Sequence, residues 1–348
     1  MNHVIQVLIV DDSAYVRNII ERILISSPFI EVIGKARDGK EALDMVKKLE
    51  PDVVLLDLIM PEMDGVTFIK EQMKRKPIRI IVVSIASARQ KLIIEALHSG
   101  AIDFIQKPTA LATERIKEIR DDLIQKIKTA ALVELTHLNN IYDQTCRQKN
   151  IPEVITSKVN FDVIVIGIST GGPQALRYLI PQFPANFPIP IVIVLHMPEG
   201  YTEMYSENLN ELSAMQVKEA REGDPLLPGT VTIASAGFHL TFIKDAQKRV
   251  VFHLDRKPYD KLHRPSADIL FNSAADMFKE RVLGLIMTGM GSDGKEGAAW
   301  IKVNGGTVLT ESKETCVIYG MPRAVDEIGL SDKSVPLYQM ADVIKKLI

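Results

Sequence analysis

Strand-like and helix-like segments alternate along the first third of the sequence, and this alternation constrains the fold more than any other feature. Short aliphatic runs are separated by segments whose apolar residues recur at helical spacing. The predicted strands read VIQVLIV, IEVIGKA, DVVLLDL, IRIIVVSI and DFIQ. A fivefold βα alternation with buried apolar strands predicts an α/β fold, with a parallel sheet and helices on both of its faces.

A second α/β pattern begins at residue 161 and continues to the end of the chain. Its predicted strands read FDVIVIGI, PIPIVIVLH, GTVTIAS, VVFHL, VLGLIMTG and GGTVLTE. Between the two patterns lies a polar stretch with no sustained period, which is typical of a linker. A length of 348 residues also suggests two domains. We therefore predict domains at 1–125 and 161–348, joined by a helical or irregular linker at 126–160, with a doubly wound, mainly parallel sheet in the second domain.

The charge balance and the two cysteines narrow the classes of function. Lys and Arg number 42 and Asp and Glu number 44, so the net charge of −2 argues against a nucleic-acid binder that uses a broad basic patch. Cys146 and Cys316 stand at no metal-ligand spacing and do not form a disulfide framework. The start of the chain has no signal-peptide pattern, and its apolar runs are shorter than the roughly 20 residues of a membrane helix. We expect a cytoplasmic protein without membrane insertion.

Polar side chains follow four of the five strands predicted in the first domain. Asp11 and Asp12 follow the first strand, Asp57 ends the third, Ser84 ends the fourth and Lys107 follows the fifth. Ligands of open α/β sheets bind at the carboxyl ends of the strands, so these side chains should meet at one edge. Three neighbouring carboxylates repel one another unless a cation lies among them, and Mg²⁺ prefers oxygen ligands. Any one of these aspartates alone would be as well explained as a helix cap or turn residue.

The same segment resembles a response-regulator receiver domain, a flavodoxin-like (βα)₅ fold. The resemblance covers roughly the first 125 residues and is carried by DDSAYVR, LLDLIMPEMDGV, VVSI and IQKP, in that order and spacing. It implies that Asp57 accepts a phosphoryl group in a reaction that requires Mg²⁺. The implied metal ligands are Asp11, Asp12, Asp57 and the backbone carbonyl of Ile59. The implied switch residues are Ser84, Phe104 and Lys107.

In the second domain, an apolar strand ends in the sequence GISTGG, which holds Ser169 between glycines. The motif fits the G-x-S-x-G turn that exposes a nucleophilic serine between a strand and a helix. A plain glycine turn explains it equally well, and a phosphate-binding loop is a third interpretation. The GISTGG turn has neither the G-x-G-x-x-G nor the G-K-[ST] pattern of nucleotide sites, so the phosphate interpretation is the weakest.

A nucleophilic serine needs a base and an acid that orients it. His196 directly follows the strand PIPIVIVL, which places it at the same sheet edge as Ser169. Asp293 lies in the glycine-rich loop of GLIMTGMGSDGKEG, after another strand. That loop also offers backbone N–H groups for an oxyanion hole. Strand-end histidines are more often structural than catalytic, so the triad is a hypothesis at this point.

The two domains together resemble the chemotaxis protein-glutamate methylesterases, the CheB family, over nearly the whole chain. GISTGG, HMP, HRPSADILF, MTGMGSDG and YGMPR are similar to the family's motifs. The resemblance implies that Ser169 is the nucleophile, His196 the base and Asp293 its orienting partner. It implies the backbone N–H of Met290 as an oxyanion donor, and it places HRPSADILF and YGMPR around the substrate.

The resemblance predicts a phosphorylation-activated serine esterase that demethylates glutamate methyl esters on chemoreceptors and also deamidates receptor glutamines. A CheA-like histidine kinase would be the phosphodonor, and methylated chemoreceptors the substrate. Mg²⁺ would serve receiver phosphorylation only, and the esterase reaction would need no cofactor. The alternative is a response regulator with a non-enzymatic output domain, either an adaptor or a DNA- or protein-binding module.

Overall fold

The computed structural model describes residues 4–84, 90–107, 113–134 and 160–348. The chain forms two compact units, Met1–Tyr142 and Asp143–Ile348. Most of the predicted linker lies outside the described residues, and the domain bounds at 125/126 and 160/161 remain predictions. Among the helices of the described ranges, none combines the length and the hydrophobicity needed to cross a membrane.

The first unit contains a five-stranded sheet whose strands are all parallel, in the order β2-β1-β3-β4-β5. This is the flavodoxin-like order, as predicted. The strands are β1 (Ile5–Val10), β2 (Ile30–Ala36), β3 (Val53–Leu56), β4 (Arg79–Ser84) and β5 (Asp103–Gln106). The helices are α1 (Ala14–Ile25), α2 (Gly39–Leu49), α3 (Gly65–Arg75), α4 (Gln90–His98) and α5 (Thr113–Ala131).

Short polar side chains cap the N-termini of three of these helices. Ser13, Asp38 and Asp64 accept hydrogen bonds from the backbone N–H groups of the first turns of α1, α2 and α3. Such caps satisfy donors that have no partner inside the helix. They leave Asp11, Asp12 and Asp57 in the strand-to-helix loops without a capping role.

The second unit is built on a seven-stranded parallel sheet of order β14-β13-β12-β6-β7-β9-β8. Its strands are β6 (Val163–Ile168), β7 (Ile191–Leu195), β8 (Gln216–Glu219), β9 (Thr230–Ile233), β12 (Val282–Ile286), β13 (Thr307–Glu311) and β14 (Lys333–Val335). The helices are α6 (Gly172–Leu179), α7 (Thr202–Glu211), α8 (Ala267–Phe278), α9 (Lys295–Val303), α10 (Met321–Asp326) and α11 (Leu337–Leu347), with 3₁₀ turns at Ile180–Gln182 and Lys279–Arg281.

The central strands β12, β6 and β7 are buried along their whole length, as their uninterrupted apolar sequences predict. The predicted strand VVFHL does form, as β11 (Val250–Asp255), but it lies outside the main sheet. It pairs antiparallel with β10 (His239–Lys244) in a separate two-stranded hairpin. The hairpin packs through Leu240, Phe242 and Phe252 into the hydrophobic core shared with α8.

Candidate active site

Ser169 lies in the turn between β6 and α6, at the carboxyl edge of the sheet. Its N–H donates to the Thr288 carbonyl at 3.0 Å, and its own carbonyl accepts from Gly172 N–H at 2.7 Å. Gly171 adopts a φ of +80°, and a Cβ there would meet Val317 at 2.5 Å. The glycine is therefore needed for the turn that presents Ser169.

His196 follows the neighbouring strand β7 and lies beside this turn. Its backbone N–H donates to the Ile168 carbonyl at 3.1 Å, in continuation of the β6–β7 ladder. Its Nε2 lies 2.8 Å from Oδ2 of Asp293. The structure thus brings Ser169, His196 and Asp293 to one edge of the sheet, where their positions after strand ends suggested that they would meet.

Asp293 is held by more donors than the histidine alone. It also accepts hydrogen bonds from the Ser266 hydroxyl at 2.7 Å, from Ala267 N–H at 2.7 Å and from Asp268 N–H at 3.1 Å. These donors belong to the start of α8, where the helix dipole favours negative charge. Burial opposes ionisation of Asp293, but the contacts with His196, Ser266 and Ala267 outweigh it and place its pKa below the usual 3.8. The carboxylate is therefore ionised at neutral pH.

The second ring nitrogen of His196, Nδ1, is buried and has no hydrogen-bond partner in the described part of the chain. Because Asp293 fixes Nε2, Nδ1 is the nitrogen left to exchange a proton with a reacting hydroxyl. The imidazole of His263 stacks on that of His196, with ring centroids 4.1 Å apart and planes at 19°. This stack covers one face of the ring and restricts its rotation.

The loop after β12, which carries Met290, lies beside the Ser169 turn. Gly289 lies between the serine and α10, and a Cβ at this position would meet Met321 Sδ and, at 2.8 Å, Ser169 Cβ. The YGMPR segment is tied to the same glycine, because Gly320 and Met321 donate to the Gly289 carbonyl at 3.1 and 2.8 Å. Met290, the predicted oxyanion donor, is thus the residue after Gly289, where an added Cβ would clash with Ser169.

Three residues of this site were not predicted in their observed roles. Ser266 anchors Asp293, His263 stacks on His196, and Thr288 holds the backbone of Ser169. Ser266 and His263 belong to HRPSADILF, which was predicted only to shape the substrate site. The signal for Ser266 was available, since a serine before a helical pattern is typical of a helix N-terminus.

The first unit holds a separate polar cluster at its own sheet edge. The Lys107 ammonium lies 2.6 Å from Asp11 Oδ2 and 2.7 Å from Asp57 Oδ2, and all three side chains are buried. Burial raises the pKa of Asp11 above its usual value, although Lys107 opposes this effect. One ammonium between two buried carboxylates leaves negative charge that a cation would offset.

The remaining predicted receiver residues lie around this cluster. Carboxylate oxygens of Asp11, Asp12 and Asp57 lie within 4.8 Å of one another, with Asp12 exposed. Ser84 is completely buried at the end of β4 and its hydroxyl has no hydrogen-bond partner within the described ranges. Phe104 is buried on β5, whereas the Ile59 side chain is 40% exposed in the loop after β3.

The donor set of this cluster suits a hard divalent cation. The three carboxylates supply oxygen ligands from two loops, and the exposure of Asp12 leaves one side open to solvent. The residues present therefore fit Mg²⁺, as predicted.

Comparisons with known proteins find a matching family for each of the two units. Residues 164–344 match the family model described as CheB methylesterase, and residues 7–119 match that of the response regulator receiver domain. Protein-glutamate methylesterase/protein-glutamine glutaminase 5 of Myxococcus xanthus is 42% identical over 347 residues, which cover 98% of this chain and 97% of the relative. A protein of the same name but without the number, from Thermotoga maritima, is 39% identical over 350 residues, covering 100% and 99% of the two chains.

Among solved structures, the crystal structure of the Thermotoga maritima CheB methylesterase catalytic domain superposes with a TM-score of 0.53 at 42% sequence identity. The match covers 54% of this chain and 99% of that chain.

Proposed function

Because the chain belongs to the CheB methylesterase family and carries a response regulator receiver domain, we propose that it is a phosphorylation-activated serine esterase. Its substrates are glutamate methyl esters on chemoreceptors, and its products are methanol and the free glutamate. The observation that carries the proposal is the imidazole of His196, fixed at Nε2 by Asp293 beside the turn that presents Ser169.

In the first half-reaction, the Ser169 hydroxyl attacks the ester carbonyl while His196 Nδ1 accepts the serine proton. The tetrahedral intermediate collapses, the carbon–oxygen bond to the methoxy group breaks, and the imidazolium gives its proton to the leaving methanol. Asp293 stays ionised and stabilises the imidazolium, in agreement with its lowered pKa.

In the second half-reaction, His196 removes a proton from water, and the resulting hydroxide attacks the acyl-serine. Collapse releases the glutamate carboxylate and returns the proton to Ser169. A glutamine side chain would enter the same acyl intermediate and release ammonia instead of methanol. We therefore include protein-glutamine deamidation in the proposal.

The negative oxygen of both intermediates needs donors that are already in place. The backbone N–H of Met290 is the proposed donor, since Met290 follows Gly289, where an added Cβ would clash with Ser169. Loss of one such donor costs on the order of 10²–10³ in rate.

The receiver supplies the regulation in this proposal. Asp57 accepts a phosphoryl group from a CheA-like histidine kinase. Asp11, Asp12, Asp57 and the Ile59 carbonyl would hold Mg²⁺, which would supply positive charge to offset that of the transferred group. Lys107 contacts the acceptor carboxylate. Ser84 and Phe104 are proposed to report the phosphorylated state by changing their packing.

The comparisons favour this enzyme over the alternative of a non-enzymatic output domain, because the second unit matches a methylesterase model over residues 164–344. The deciding experiment measures methanol release from methyl-labelled receptor membranes, with and without acetyl phosphate and Mg²⁺. Release that rises with the phosphodonor and disappears in Ser169→Ala supports the proposal.

Two outcomes contradict it. Absence of release from the unaltered protein with several receptors favours an adaptor. Release that persists in Ser169→Ala means that the GISTGG segment is only a turn and that the nucleophile lies elsewhere.

A further inference from the structure

A buried acidic residue that plays no part in the proposed reaction is linked to the Ser169 turn through Thr288. Glu311 is the last residue of β13 and is fully buried, with 0% of its surface exposed. Carboxylates are almost never fully buried unless paired, because burial of a charge is costly. Within the described ranges, Glu311 forms no ion pair. Its retention in the core calls for a specific set of contacts.

Those contacts are two hydrogen bonds to the carboxylate oxygens. The backbone N–H of Thr288 donates to Oε2 at 2.9 Å, and the hydroxyl of Thr315 donates to Oε1 at 3.0 Å. Thr315 in turn accepts from Leu337 N–H at 2.9 Å. The Glu311 side chain therefore connects Thr288, two residues after the end of β12, through Thr315 to the start of α11.

Thr288 is hydrogen-bonded to the backbone of Ser169 and of the next residue, Thr170. Its carbonyl accepts the Ser169 N–H at 3.0 Å, and its hydroxyl donates to the Thr170 carbonyl at 3.0 Å. A third bond, from Ile318 N–H to the Thr288 hydroxyl at 3.0 Å, ties in the segment before YGMPR. A displacement of Thr288 would thus move the backbone of the serine turn directly.

We propose that Glu311 is a positioning residue, which fixes the Ser169 turn through its hydrogen bond to Thr288. The inference rests on the proposed esterase function, since it assigns Glu311 to the geometry of that nucleophile. Small displacements of a nucleophile cost up to about 10²-fold in rate, so a core carboxylate can control activity without contacting substrate.

The buried environment of Glu311 explains why loss of its carboxylate oxygen as an acceptor would change the structure of the loop. Burial raises its pKa to about 7, with the bonds from Thr288 and Thr315 acting in the opposite direction. Thr288 is buried as well. A buried N–H without an acceptor has lost its hydrogen bond to water and gains no hydrogen bond in exchange. The loop is then expected to shift until that N–H finds another partner.

The test compares two substitutions of similar size that differ in hydrogen bonding. Glu311→Met removes the acceptor, whereas Glu311→Gln keeps a side-chain oxygen for Thr288 N–H. We expect kcat for methanol release to fall about 10- to 100-fold in Glu311→Met, with KM nearly unchanged, and to return close to the original value in Glu311→Gln.

Thr310→Val provides the matched control. Thr310 precedes Glu311 on the same strand and is equally buried, but its hydroxyl bonds Asp326 and Ser331 and does not contact Thr288. We expect Thr310→Val to lose stability without loss of kcat. A kcat in Glu311→Met that equals that of Thr310→Val overturns the proposal, as does a Glu311→Gln variant as impaired as Glu311→Met.

A second measurement does not depend on esterase activity. Hydrogen exchange at the amides of Ser169 and Thr288 should accelerate in Glu311→Met and stay slow in Glu311→Gln and Thr310→Val. Unchanged exchange at both amides in Glu311→Met overturns the positioning role even if no ester substrate is found. Absence of methanol release from the unaltered protein contradicts the proposed function instead.

Should Glu311→Met fail to fold, Glu311→Asp carries the same test. It keeps the charge but is one methylene shorter, so it draws the acceptor away from Thr288 N–H. We expect a lower kcat and faster exchange at Ser169, and original values for both would contradict the proposal.

Discussion

His196 Nε2 lies 2.8 Å from Asp293 Oδ2, and this contact leaves Nδ1 as the ring nitrogen that is available to the proposed reaction. The carboxylate that holds the ring is itself held by Ser266, Ala267 and Asp268 at the start of α8. One aspartate therefore contacts the proposed base and also accepts hydrogen bonds from the start of a core helix. Substitutions of Asp293 should affect rate and stability in the same variant.

Asp293→Asn is expected to lower kcat by on the order of 10³–10⁴-fold, the effect known for the buried carboxylate of such triads. The amide NH₂ would face donors whichever way it points, so the second unit should also lose roughly 1–2 kcal/mol of helix-cap stability. Methanol release measures the first effect. Fluorescence of Trp300, the one tryptophan of the sequence, measures unfolding of the second unit.

Asp162→Asn is the control for that variant, because Asp162 forms only a partly exposed ion pair with Arg281. Such pairs contribute about 0–1 kcal/mol, so neither kcat nor the unfolding transition should change much. An Asp293→Asn variant with unaltered kcat would show that the His196–Asp293 contact has no role in the reaction.

Asp57→Asn is expected to abolish activation by acetyl phosphate while leaving basal hydrolysis intact, since an amide cannot accept the phosphoryl group. The measurement is methanol release with and without acetyl phosphate and Mg²⁺. Asp44→Asn, on the helix α2 of the same unit, should respond to the phosphodonor like the unaltered protein. Full activation of Asp57→Asn would refute the assignment of the phosphorylation site.

Lys107→Met is expected to make the first unit depend on Mg²⁺ for stability. The substitution leaves Asp11 and Asp57 buried without their shared ammonium, and breaking a buried pair in this way costs about 3–5 kcal/mol. Calorimetry should show a lower melting temperature without Mg²⁺ and a larger rise on its addition than in the unaltered protein. Absence of any Mg²⁺ response in both proteins would contradict a metal site at these carboxylates.

The sheet cores were predictable from the sequence because buried parallel strands are nearly uninterrupted apolar runs. IEVIGKA and DFIQ match the observed β2 and β5 residue for residue. The strands that escaped prediction were β8, β10 and β14, which are short or carry polar residues on one face. Their pairing depends on neighbours distant in sequence, which local patterns do not encode.

The sheet edge at which the candidate site residues lie was also predictable, because in a parallel sheet the topology alone decides where the carboxyl ends of the strands are. The network behind them was not predictable in the same way. Glu311 ends a predicted strand, yet nothing in GGTVLTE indicates that its side chain turns inward to Thr288 rather than toward solvent. That choice depends on the tertiary position of β12 beside β13.

Glu311 also predicts an unusual pH dependence of folding. Burial raises its pKa from the usual 4.5 to about 7, so the folded protein binds the proton more tightly than the unfolded chain. The stability that this proton binding contributes is complete below pH 4.5 and is lost as the pH rises toward 7. The loss amounts to about 3 kcal/mol over this window.

The Cys316 thiol, next to the Glu311 backbone, stays protonated over that window, since burial raises its pKa well above 9. Glu311→Gln cannot titrate, so the difference in unfolding free energy between this variant and the unaltered protein isolates the Glu311 contribution. Urea unfolding followed by Trp300 fluorescence should show the variant gaining relative stability between pH 5 and pH 7. A difference that is constant across this range would mean that Glu311 has the same pKa in the folded and unfolded chains, and that its burial is offset fully by Thr288 and Thr315.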